Sequence, residues 1–141
     1  MCSMGAQPHP RSVLQRAIRT GDAALALRAA GELERVDLED DFAICLLLRA
    51  DRARYERACV RWLERYTAEV DGATLGDVVR IASGFQLIFA RVVPRDLRPM
   101  ERLLRRRQLH RAADRLTTML ERTPRRHADL LPTPPTSRAR S

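Results

Sequence analysis

The chain has 141 residues, 45% hydrophobic and 4% aromatic, with a formal net charge of +8. That length suits one domain, and the apolar share supports a core drawn mainly from Leu, Ala, Val and Ile. Six glycines and eight prolines, four of the latter in the last eighteen residues, exclude a collagenous or wholly disordered chain.

Residues 1–10 show no periodicity and contain Pro8 and Pro10, so a loose arm is expected there. Ser12 with Gln15 matches a capping box for a first helix whose apolar face is Val13, Leu14, Ala17 and Ile18. Thr20-Gly21 ends it, and Asp22 caps a second helix through AALALRAAGEL. Asp37 caps a third. Its first turn has Glu39, Asp40 and Asp41, carboxylates that oppose the positive end of the helix dipole. Leu38, Phe42, Cys45, Leu46 and Leu48 make this helix the expected centre of the core.

In the next segment Tyr55, Cys59, Trp62, Leu63, Tyr66 and Val70 recur at spacings of three and four, a helical period. Arg57, Arg61 and Arg65 lie opposite, with Glu64 and Glu69 near them, and Asp71-Gly72 reads as the exit. Thr74 with Asp77 is a second capping box, launching a helix with Leu75, Val78, Val79, Ala82, Phe85 and Phe89 inward. Gly76 and Gly84 weaken that helix by roughly 1 kcal/mol each relative to alanine, unless close packing uses them. Pro94 ends it.

The last helical stretch, about 99–122, has two apolar faces. Met100, Leu103 and Leu104 point one way; Leu109, Ala112, Ala113, Leu116, Met119 and Leu120 point nearly the opposite way. Either the helix breaks near Arg105-Arg106-Arg107 or its halves face different partners. Residues 123–141, rich in proline and polar groups, read as a disordered tail. No strand alternation persists. The expected fold is all-α: five or six helices over residues 11–122, as a compact bundle or a short helix-pair stack.

Three segments carry a resemblance: the alanine-rich helix ending in GELERVDLEDD (31–41), the apolar CLLL (45–48), and RYERACVRWLERY (54–66). Residues 21–69, about a third of the chain, resemble small uncharacterised all-helical intracellular proteins of actinobacteria. The resemblance implies a helical intracellular fold and brings no catalytic residues with it.

Catalytic and metal-binding patterns are lacking. His9, His110 and His127 are scattered, and no C-x-x-C, H-E-x-x-H or calcium loop occurs, so neither a metal nor a cofactor is expected. Asp37, Glu39, Asp40 and Asp41 read as helix capping. There is no G-x-S-x-G elbow or phosphate loop, and a Cys59–His110 pairing has no support in spacing. Tyr55, Trp62 and Tyr66 read as packing residues rather than a stacking platform. Cys2, Cys45 and Cys59 form no close pair, the apolar run Ala43 to Leu48 is far too short to span a membrane, and no secretory signal is readable. A cytoplasmic protein without membrane insertion is expected.

All 26 basic residues are arginine, a uniformity that fits GC-rich coding, and their placement is uneven. Residues 11–92 hold thirteen arginines and thirteen acids; residues 93–141 hold thirteen arginines and five acids. Arg98, Arg102, Arg105 and Arg106 share one helix face, with Arg107 and Arg111 close by. This surface reads first as a solvated face, then as a contact for an acidic partner, such as the Asp37–Asp41 turn of another copy, then for nucleic acid, and last for an anionic membrane, whose bulky aromatic face is missing. The expectation is a non-enzymatic protein–protein interaction domain, with homodimerisation through Leu109, Leu116, Met119 and Leu120 as one form. The first alternative is a nucleic-acid-associated protein using the arginines on phosphates, although no helix-turn-helix is present. The second is a small enzyme of unidentified type.

Overall fold

The structure, a computed structural model, describes residues 8–90 and 94–122. Seven α-helices occur among them: α1 (Pro10–Thr20), α2 (Ala23–Gly31), α3 (Leu38–Leu47), α4 (Arg52–Glu69), α5 (Leu75–Phe89), α6 (Arg98–Arg106) and α7 (His110–Arg122). Short 3-10 turns at Leu48–Ala50 and Pro94–Leu97 lead into α4 and α6. The helices close as a compact bundle. The expected disordered tail, 123–141, and most of the N-terminal arm lie outside the described residues.

The N-cap of α1 lies three residues earlier than the capping-box pattern suggests. His9 sits at the N-cap and its Nδ1 accepts from the Arg11 amide at 3.1 Å, with Pro10 as the first helical residue. Ser12 and Gln15 therefore lie inside the helix and form no capping box. Proline suits this position because its ring presets φ and the missing N–H would have had no partner. Gly21, at φ 76°, turns the chain back, and Asp22 caps α2 by accepting from the Leu25 amide. Ala17, Ala26 and Ala29 are buried where α1 and α2 pack together.

α3 is apolar nearly all round, and a helix of that kind must be enclosed. It touches α1, α2, α4 and α7, and Phe42, Ala43, Ile44, Cys45 and Leu46 are buried in it. Against it lie Trp62 of α4 and Phe85 of α5, with Tyr66 stacked on Trp62. Phe42, Tyr55, Trp62, Tyr66 and Phe85 form one aromatic cluster with centroid separations of 5.3–6.1 Å. The polar tips of its members are satisfied. Trp62 Nε1 donates to the Leu38 carbonyl at 2.7 Å, Tyr55 OH to the Phe85 carbonyl at 2.6 Å, and Tyr66 OH to Asp77 Oδ2 at 2.8 Å. The aromatics thus occupy the centre, and no valine is fully buried among the described residues.

α5 is rotated relative to the expected face. Ile81, Phe85 and Ile88 point inward with Asp77, whereas Leu75 and Val79 are 80% and 57% exposed and Phe89 is exposed at the far end. The capping box explains the rotation. Thr74 and Asp77 bond reciprocally as expected, but Asp77 also meets Tyr66 of α4, and this turns its side of the helix to the interior. Gly84 is used for close packing: a Cβ there would overlap the Met100 sulfur and stand 3.2 Å from Met100 Cβ. No helix among the described residues is long and apolar enough to cross a membrane.

Candidate functional site

The C-terminal helical stretch is two helices. α6 ends in a Schellman arrangement: the Leu109 amide donates to the Leu104 carbonyl at 2.8 Å and the Gln108 amide to that of Arg105 at 3.1 Å. Gln108 takes the left-handed conformation, φ 64°, where glycine is usual. The change of direction lets both apolar faces meet the same core. Met100, Leu103 and Leu104 are buried from α6, and Leu109, Ala112, Ala113 and Leu116 from the start and inner face of α7. Of the residues expected at an interface, Leu109 and Leu116 are interior to their own chain, and Met119 and Leu120 are half-buried against the core. A break within one chain satisfies the opposed faces without a second subunit.

The break also redistributes the arginines. Arg105 bonds Glu101 Oε1 at 3.2 Å and Asp114 Oδ1 at 3.0 Å. Arg107 reaches back to α5, its Nε 2.9 Å and its terminal nitrogen 2.8 Å from Asp77 Oδ2. Arg111 lies 2.9 Å from Asp37 Oδ2 and 3.2 Å from Asp40 Oδ1. The acidic turn of α3 is thus met by an arginine of the same chain, where the sequence allowed one from another copy.

Arg98, Arg102 and Arg106 are exposed and make no ion pair among the described residues. They fall at i, i+4 and i+8 on α6, the helix held down by Met100, Leu103 and Leu104. Of the six arginines singled out in the sequence, Arg105, Arg107 and Arg111 are clasps within the chain and Arg98, Arg102 and Arg106 form one outward ridge. Spacing alone could not separate the two groups, because the carboxylates that clasp Arg107 and Arg111 lie 30 to 74 residues away.

Arg106 also lines a cleft of about 580 Å³ between the start of α3, the end of α4 and the α6–α7 joint. Leu38, Val70 and Leu109 supply its apolar lining, and Arg35, Arg65, Arg107, Glu69 and Asp71 are among its polar groups. Most of those charges are engaged. Arg65 bonds Asp41 at 3.0 Å, the Val36 carbonyl at 2.8 Å and Glu69, while Arg35 pairs with Glu69. The cleft was missed in the sequence because its walls come from three separated segments.

The electrostatics follow these contacts. Burial opposes ionisation of Asp77, but bonds from Tyr66, Thr74 and Arg107 outweigh it and hold the carboxyl below its ordinary range. Burial and the bond to Asp77 push the Tyr66 hydroxyl up to about 12. In Asp37, the Asp40 amide and Arg111 overcome partial burial and lower the carboxyl. In Asp40, burial wins, aided by the charge of Asp37 against the pull of Gln15 and Arg111, and the carboxyl is raised.

Cys45 and Cys59 are free thiols buried in the core; the neighbouring Cys59 thiol and burial push the Cys45 thiol far up, which suits packing rather than nucleophilic chemistry. His110 is exposed and bonds Gln108 at 3.0 Å, whereas Cys59 is buried in α4. Among the described residues no group of three or more His, Cys, Asp and Glu is arranged to hold a metal ion. No family model, no curated protein and no solved structure matches this chain.

Proposed function

We propose that the chain is a non-catalytic helical docking domain that holds an acidic segment of a partner protein along the outer face of α6. One observation carries the reading. Arg105, Arg107 and Arg111 are neutralised within the chain, whereas Arg98, Arg102 and Arg106 stand exposed one turn apart without an ion pair among the described residues. A guanidinium group offers a planar fork of donors that matches a carboxylate, and a row of them fixes the register of an acidic chain.

Two features favour an acidic protein over nucleic acid. Three free arginines would release few counterions. With a slope of about −0.9 per phosphate, affinity would fall only about 40-fold between 50 and 200 mM salt. The rings that could stack on bases, Tyr55, Trp62 and Tyr66, are buried.

The test is fluorescence anisotropy of a labelled glutamate-rich peptide titrated with the full chain at low salt. Saturable binding is expected. Replacing Arg98, Arg102 and Arg106 together by Gln should weaken it about tenfold or more. Replacing the exposed Arg11, Arg16 and Arg19, which removes the same charge from α1, should leave it nearly unchanged. Equal losses in the two variants, or no binding to the unaltered chain, would overturn the reading. So would a DNA duplex that binds tighter than the peptide through the same three arginines.

A further inference from the structure

The arginine ridge leads into the cleft, and the geometry points to a two-part partner motif: an extended run with an acid at every second residue, ending in an apolar side chain that enters the cleft. This inference rests on the α6 reading above. Arg98, Arg102 and Arg106 are four residues apart, so they are about 6 Å apart along the helix axis. Alternate residues of an extended chain are about 6.6 Å apart on one face. Three acids in five residues therefore match three guanidinium groups, whereas consecutive acids would send every second carboxylate into solvent.

The ridge is not straight. Each four-residue step overshoots a full turn by about 40°, so the row winds around α6. Arg106, at its end, is the member that also lines the cleft. Beyond it the chemistry changes: the half-buried Val70, flanked by the mostly buried Leu38 and Leu109, supplies the apolar part of the wall, and Arg35, Arg65 and Arg107 are already engaged by carboxylates of the chain. The exposed Asp71 lines the same cleft, so a further acid on the partner would meet repulsion there. A leucine or phenylalanine following the acidic run fits this change from charge to apolar surface. It would act as the anchor that docking motifs commonly place in a pocket.

Anisotropy with matched peptides tests the motif in the full chain: Glu-Ser-Glu-Ser-Glu carrying Leu at one end or the other, and the same peptide carrying Ser. One Leu peptide should bind about tenfold tighter than the Ser peptide. Methyl NMR signals of Val70 and Leu109 should shift with that Leu peptide and stay in place with the Ser peptide. Val70→Gln should remove the advantage of leucine while leaving the Ser peptide's affinity intact; the methyl shifts provide a readout that needs no variant. Equal binding of all peptides with unmoved methyl signals would overturn the cleft inference and leave the α6 reading standing. Failure of every peptide to bind would overturn the α6 reading itself. Binding of the Leu peptide undiminished by loss of the three arginines would overturn it too.

Discussion

Glu39, in the first turn of α3, accepts a hydrogen bond from the backbone N–H of Ala112, in the first turn of α7, at 3.0 Å across 73 residues. The residue before α7 is Leu109, which has no side-chain acceptor, so the cap comes from another helix. The two helix N-termini meet here, and Arg111 adds its charge. Asp37, Glu39 and Asp40 offset all three positive sources. Glu39→Ala should therefore destabilise the fold by about 1 kcal/mol, the usual cost of losing a cap. Glu39→Gln, which keeps an acceptor, should cost less. Urea unfolding of the two variants checks the order.

Asp77 joins α4, α5 and α6. It accepts from Tyr66, Thr74 and Arg107, and its carboxyl is lowered. A lowered carboxyl contributes stability that is fully present above its unfolded value, about 4, and is lost as pH falls through the lower folded value. Asp77→Asn should cost about 1–3 kcal/mol at pH 7, and the difference from the unaltered chain should shrink as pH falls below about 4. Asp40 has the opposite sign. Its raised carboxyl disfavours the fold once ionised, so Asp40→Asn should be neutral or stabilising by less than about 1 kcal/mol at pH 7. Urea midpoints measured from pH 7 to pH 3 check both.

Gln108 holds a left-handed conformation that costs a side-chain-bearing residue. Gln108→Gly should stabilise the chain by about 0.5–1 kcal/mol, less whatever the bond from His110 contributes. A rise in thermal midpoint is expected; a fall would mean that the side chain matters more than the backbone.

Gly84→Ala tests the α5–α6 contact. Alanine favours a helix by about 1 kcal/mol over glycine, but here its methyl must displace the fully buried Met100. A net loss of about 1–3 kcal/mol is expected from overpacking. Shortening the opposing side chain with Met100→Ala in the same molecule should make the second substitution less than additive. A double-mutant cycle from thermal or urea unfolding measures this coupling.

The core thiols should be inert. In a Cys2→Ser chain the remaining thiols are the free, buried Cys45 and Cys59, and the Cys45 thiol is pushed far up by the neighbouring Cys59 and by burial. A thiol reagent should react with neither residue in the native state and with both in denaturant.

Local chemistry determined much of this protein from its sequence. Gly21, Asp22, Asp37 and the Thr74–Asp77 pair act where they stand, because caps and turns depend on neighbours within four residues. Helical periodicity likewise placed Tyr55, Cys59, Trp62 and Tyr66 on one buried face. Tertiary structure decided what periodicity leaves open. The face of α5 turned on Asp77, whose second and third partners come from other helices. The two apolar faces of 100–120 met one core because Gln108 adopts a conformation that no nearby sequence signal announces. The six C-terminal arginines looked alike in the sequence. They were divided into clasps and a ridge by carboxylates up to 74 residues distant, since a charge is neutralised by what stands beside it in space.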